Sequence, residues 1–156
     1  MTDGEFRWAL TATQGGYRRS APVMIPVTDF QLSVEARQVN GPRDGDYGVV
    51  FRQLDGNDFY YFGINDAPQY AWFVLYNNVW TTLTDWTRTS AILRGETNRI
   101  SVSAEGTHFQ SFINGQLAAE RDDDYLSHGL AGLAVGLQSA GDRSTFAFDN
   151  IEVRAP

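Results

Sequence analysis

The chain has 156 residues, one domain's worth, with 42% apolar and 20% charged side chains, a balance that builds a core and excludes a disordered polypeptide. Its formal net charge of −7, with no basic stretch to offset it locally, argues against nucleic acid as a partner. Cysteine is absent and all 12 basic residues are arginine, so thiolate, disulfide and cysteine–zinc chemistry are excluded along with P-loop and Schiff-base lysines.

Met1-Thr2-Asp3-Gly4-Glu5-Phe6 carries neither a charged leader nor an apolar signal core. No run approaches the ~18 apolar residues of a membrane helix, so insertion into a membrane by this chain is not expected. From there the periodicity is two. Phe30 to Arg37 alternates apolar and polar strictly, and Thr97 to Glu105 repeats the pattern with Ile100, Val102 and Ala104 on one face. Strands are predicted near residues 5–10, 22–26, 30–38, 47–53, 58–65, 69–76, 79–86, 97–104, 107–113, 116–121, 131–137 and 145–153. Turn signals separate them: Asp55-Gly56-Asn57, Asn77-Asn78, Glu105-Gly106 and Asn114-Gly115, the last a type I′ hairpin sequence in which both central residues need φ > 0. The acidic run Glu120–Asp124, with Tyr125-Leu126, is the one place where a turn of helix is expected. The pattern is that of an all-β, two-sheet antiparallel sandwich.

Two irregularities stand out. In Thr145–Val153 the apolar phase passes from Phe146 and Phe148 to Ile151 and Val153, which requires a bulge near Asp149-Asn150. In Gly132–Leu137 the branched residues share one face and Gly, Ala, Gly the other. A face lined by such small side chains is either a floor beneath other groups or a seat for a closely packed loop.

Tyr47-Gly48-Val49-Val50-Phe51-Arg52, Asn57-Asp58-Phe59-Tyr60-Tyr61-Phe62, Trp80 to Trp86, Gly95 to Ile100, Phe112-Ile113-Asn114-Gly115 and Phe148-Asp149-Asn150 resemble, in order and spacing, the concanavalin A-like lectin/glucanase jelly roll. More narrowly, they are similar to its 3-keto-disaccharide-hydrolase-like, or family 16 glycosidase-like, branch. The resemblance spans Phe6 to Val153. It implies a single jelly-roll domain over residues 1–156, cut from a larger, typically bacterial, protein, with a concave sheet face where relatives bind glycans. It also implies an extracellular or cell-surface setting.

Catalytic residues are not found. Glycosidases of this superfamily place two carboxylates at alternate positions of one strand, which supplies the ~5–5.5 Å separation that retention requires. Of the six glutamates, only Glu120 has an acidic residue two positions further on, Asp122, and that pair lies in the solvated acidic run; Glu5 has Asp3 two positions before it, ahead of the first strand. His108 and His128 have no metal-ligand spacing. Calcium is the one cofactor that the loop clusters around Asp44, Asp55, Asp122 and Asp142 would suit, although Asp-Gly turns need no metal. Binding has better candidates: the even positions of residues 69–76 and 79–86 line up Trp72, Tyr76, Trp80 and Trp86, beside Tyr60 and Arg52. Flat rings for sugar C–H faces and a guanidinium for hydroxyls would make these a ligand-binding bench. The competing assignment puts Trp72 and Trp86 in the core. The expected function is a non-catalytic carbohydrate-binding or sensory module. The alternatives are an atypical glycoside-processing enzyme of the same branch and a protein-interaction or spacer domain.

Overall fold

The alternation is realised as twelve strands in a computed structural model, which describes residues 5–55 and 57–155, the side chains at 17, 19–25 and 27 apart. One six-stranded sheet contains, in spatial order, β1 (Phe6–Thr11), β12 (Arg143–Arg154), β3 (Phe30–Asn40), β8 (Asn98–Glu105), β9 (His108–Ile113) and β10 (Gln116–Asp122). The second contains β2 (Tyr17–Val27), β11 (Gly129–Leu137), β4 (Asp46–Asp55), β5 (Asp58–Asn65), β6 (Gln69–Tyr76) and β7 (Val79–Arg88). Paired neighbours are antiparallel, and no helix occurs among the described residues. This is the jelly-roll sandwich, and it places every predicted strand.

One face of each sheet is sealed against the other. Leu32, Val34, Ile100 and Val102 meet Val49, Phe51, Phe62 and Val74 between the layers, all with at most 1% exposure. Full burial of such side chains stabilises by roughly 1.5–3 kcal/mol each. At the centre Phe51, Tyr60, Trp72 and Phe109 form an aromatic cluster, with Tyr60 and Phe109 centroids 5.0 Å apart.

Bulges leave backbone groups without ladder partners, and side chains from the opposite sheet take them up. In β7 the pairing of Trp72 with Thr84 and Phe73 with Thr82 leaves Leu83 over, and its carbonyl accepts from Arg121 of β10. In β10 Ala118 is passed over, and its carbonyl accepts the Tyr70 hydroxyl at 2.9 Å. These two links close the side of the sandwich where β7 and β10 are the free edges. The bulge expected near Asp149-Asn150 is present: the β12–β3 register shifts between Asp149 and Glu152, and Asn150 has φ 51°.

The acidic run makes no helical turn. Its first three residues belong to β10, and Asp123 still donates its N–H to the Thr107 carbonyl at 2.9 Å, so the segment stays extended. His108, at the start of β9, sets its ring nitrogens against Asp122 and Glu120 across this hairpin. Gly56 of the expected Asp55-Gly56-Asn57 turn lies outside the described residues.

Asn114-Gly115 is the type I′ hairpin that its sequence specifies, with φ of 51° and 81°. Nothing lies within 4 Å of a Cβ built on Gly115, so a larger side chain meets backbone strain and no clash. Gly115→Val is therefore expected to cost roughly 1–3 kcal/mol. A urea denaturation midpoint equal to the wild type's would contradict this.

Candidate functional site

Strand β4 begins with Asp46, which is fully buried, and its carboxylate organises the outer face of the second sheet. Oδ1 accepts from Arg18 Nη1 at 2.6 Å and from the Tyr61 hydroxyl at 2.9 Å. Oδ2 accepts from Arg18 Nη2 at 3.2 Å and Gln138 Nε2 at 2.9 Å. Four donors thus converge on one carboxylate. Burial, and after it the Asp46 charge, hold the Tyr61 hydroxyl pKa well above its ordinary value, so it remains a donor. For Arg18 burial works to lower the pKa, but Asp46 and Tyr61 outweigh it and the guanidinium stays charged.

The small-residue stripe of β11 explains how this network fits. A Cβ on Gly136 would stand 2.6 Å from Asp46 Oδ1 and 2.8 Å from Arg18 Nη1. A Cβ on Gly63 of β5 would strike the Tyr61 hydroxyl. The stripe is a floor, and what lies over it is the Arg18–Asp46–Tyr61 network. The Arg18 guanidinium also stacks 4.6 Å from the Tyr61 ring centroid and lies 6.0 Å from that of Trp80.

Beside the network is an aromatic group that sequence reading largely missed. Val50, Phe59, Tyr61, Leu75 and Ala134 form a second apolar cluster on this face, with Phe73 packed against it. Trp80 stands edge-on to Phe59 and Phe73, at centroid distances of 5.6 and 6.3 Å, and keeps 49% of its surface exposed. Trp86, half-buried, meets Phe73 at 6.1 Å. Arg18, Phe73, Trp80, Thr82 and Gly16 line a cleft of about 220 Å³.

The expected bench is therefore corrected at four of its six residues. Trp72 and Tyr60 are wholly buried in the central aromatic cluster, and Trp72 Nε1 has no hydrogen-bond partner among the described residues. Arg52, 1% exposed, turns inward at the β4 bulge with φ 51° and donates to the carbonyls of Thr28 and Leu126. Tyr76 is partly exposed but packs on Tyr125, with ring centroids 5.5 Å apart, on the face opposite Trp80. Only Trp80 and Trp86 of the six share the open face. The reason is register: Asn77-Asn78, with φ of 51° and 63°, is a two-residue turn that sets Tyr76 opposite Val79 and Leu75 opposite Trp80. Even positions of β6 thus share a face with odd positions at the start of β7. Phe73 and Leu75, not Trp72 and Tyr76, are the neighbours of Trp80.

The loop carboxylates serve their own turns. Asp55 accepts from the Asn57 N–H, Asp58 from that of Asn77, and Asp142 from that of Ser139. Among the described residues no group of three acidic or histidine side chains is placed to hold a metal ion, so the calcium expectation gains no ligand set. No described helix is long and apolar enough to cross a membrane.

A family model described as the 3-keto-alpha-glucoside-1,2-lyase-like domain matches residues 1–154. The chain belongs to that family. The same sandwich recurs in solved structures. The carbohydrate-binding module CBM66 of Bacillus subtilis superposes with a TM-score of 0.77 at 16% identity, covering 97% of this chain and 96% of that one. Sheep galectin-11, in complex with glycerol, gives 0.58 at 13% identity over 90% and 98% of the two chains. The GH43 protein BlXynB of Bacillus licheniformis gives 0.66 at 11% identity, with 83% of this chain matching 28% of that larger one. At these identities the likeness is one of fold. No curated protein matches by sequence.

Proposed function

We propose that the open face of the second sheet binds carbohydrate without turning it over, in a module that works outside the cell or at its surface within a longer protein. The observation that carries this is Trp80. Its ring is held on edge by Phe59 and Phe73 and half-exposed, at the lip of a cleft whose other wall is the Arg18 guanidinium. A sugar presents a C–H face to such a ring and hydroxyl lone pairs to the guanidinium hydrogens that Asp46 leaves free. Membership of a family named for a glucoside lyase, and a fold neighbour that is a carbohydrate-binding module, are in keeping with a sugar ligand.

The family name also favours a second reading, an enzyme acting on a 3-keto-glucoside. Proton abstraction from such a substrate needs a base within hydrogen-bond reach. None of the described residues lining the cleft is acidic, and Asp46 beneath it already accepts four hydrogen bonds. Binding is the reading that these contacts support.

Affinity gels and titration with a polysaccharide panel test it. A small cleft gives an expected Kd of roughly micromolar to millimolar. Trp80→Ala should weaken binding by at least about tenfold, roughly 1.4 kcal/mol, in a protein that stays folded, with a denaturation midpoint lowered by the lost edge contacts to Phe59 and Phe73. No binding by the wild type would move the spacer reading ahead. Released reducing sugar or keto-sugar product, lost when an acidic residue is changed, would favour the enzyme.

A further inference from the structure

The outer face of the other sheet has a depression of its own. Its centre is the cross-strand pair Ser33 of β3 and Ser101 of β8, with Ser103 opposite Gln31 one step along. Three short side chains in the middle of a sheet leave a hollow where longer neighbours rise around them. Those neighbours are Phe112 of β9, opposite Ser101, Arg154 of β12, opposite Gln31, and Arg99, which leans over Ser33. The hollow measures about 140 Å³, well under the ~300 Å³ at which pockets for drug-sized ligands begin. It has room for one charged group or one small ring.

The hollow is rich in donors. Arg99 Nη2 donates to Ser33 Oγ at 3.1 Å, so the Ser33 hydroxyl hydrogen is free to point outward. Ser101, Ser103 and the Gln31 amide add further donors around the rim. Arg154 gives Nη2 to Glu152 at 3.0 Å and keeps the rest of its fork. Glu35, opposite Arg99 in the ladder, is engaged by Asn150 Nδ2 at 3.1 Å. Two guanidiniums therefore line the hollow, while the two nearby carboxylates, Glu152 and Glu35, stand outside its lining, held by Arg154 and Asn150. Hydroxyl and guanidinium donors converging on a small hollow match the acceptor-only oxygens of an oxyanion.

We propose that this hollow is a second binding site, separate from the open face of the other sheet, for an oxyanion group: the carboxylate or sulfate of an acidic saccharide, or the free anion. Because the two sites lie on opposite outer faces, this one does not depend on the aromatic cleft binding sugar. It would give the module a preference for charged saccharides that Trp80 alone does not supply.

Amide NMR of the full chain tests it, with sodium sulfate, glucuronate or glucose added against sodium chloride at constant ionic strength. The amides of Ser33, Ser101 and Ser103 should shift saturably with sulfate and with glucuronate, and glucose should need at least about tenfold more. A response to sulfate alone marks a tetrahedral-anion site, and one to glucuronate alone a carboxylate site; either supports the hollow. Arg99→Gln, at an exposed position, should weaken the response by roughly fivefold with an unchanged denaturation midpoint. Ser101→Val should weaken it by replacing a hydroxyl donor at the centre of the hollow with a methyl group while both arginines stay in place. Shifts that stay linear and spread over exposed arginines such as Arg43 and Arg88 would overturn the proposal, as would equal responses in both variants and the wild type.

Discussion

Arg52→Met is expected to lower the unfolding free energy by about 3 kcal/mol, although among the described residues no acidic partner comes nearer the guanidinium than Asp29 at 3.8 Å. The side chain is buried at one end of the sandwich. There it ties the β2–β3 connection, through the Thr28 carbonyl at 2.7 and 3.2 Å, to the β10–β11 connection, through the Leu126 carbonyl at 3.0 Å. Its flat face lies 4.7 Å from the Phe109 ring centroid. Two effects compete on substitution. Removing a buried cation recovers desolvation free energy, which already pulls the Arg52 pKa below its ordinary value. Against this, two carbonyls lose their donor at roughly 1–3 kcal/mol each, and a cation–π contact of ~1 kcal/mol goes with them. The losses win because methionine fills the space and satisfies neither carbonyl. Urea denaturation measures the balance, and a midpoint equal to the wild type's would mean that water replaces the guanidinium at both carbonyls.

Asp46→Ala is expected to cost about as much, roughly 3 kcal/mol, and to abolish binding on the open face as well. The carboxylate is wholly buried, and its loss leaves the Arg18 guanidinium and the Tyr61 hydroxyl without their acceptor and the Gln138 amide with only the Asp44 carbonyl. Arg18 keeps 21% side-chain exposure and can turn to solvent, which holds the cost below that of a fully enclosed ion pair. That same turn removes the cleft's polar wall. Urea denaturation and polysaccharide titration on one variant read both effects. A stable variant that still binds would mean that Arg18 keeps its position without Asp46.

Period-two alternation made β3, β8 and β9 legible, because one face of each is buried and the other more open, whereas β4, β5 and β11 are buried on both faces and read as short apolar runs between turn signals. Asn114-Gly115 and the phase change around Asn150 were legible for a local reason: each needs φ > 0 or an extra residue, and the sequence announces both. The open face was legible only in part. Gly132, Ala134 and Gly136 marked a floor, but Arg18 and Gln138, which help to cover it, come from sequence positions far from Asp46. Nothing local to Asp46 points to them. The misplacement of Trp72 and Tyr76 has a different origin. The two-residue turn at Asn77-Asn78 fixes which residues of β6 and β7 face the same way, and that signal was present in the sequence. Arg52 misleads for a third reason: a charged residue within a strand reads as surface until a bulge turns it inward.

The most direct test follows the four tryptophan indole N–H resonances of the wild-type protein while a binding oligosaccharide is titrated in. Trp80 stands on the open face with half its surface exposed, Trp86 lies beside it against Phe73, and Trp72 is sealed between the sheets. The Trp80 resonance should move most, saturating with the binding isotherm, with Trp86 following and Trp72 still. Movement of Trp72, or of Trp8 in β1 of the other sheet, while Trp80 stays in place would contradict a sugar site on the open face of the second sheet.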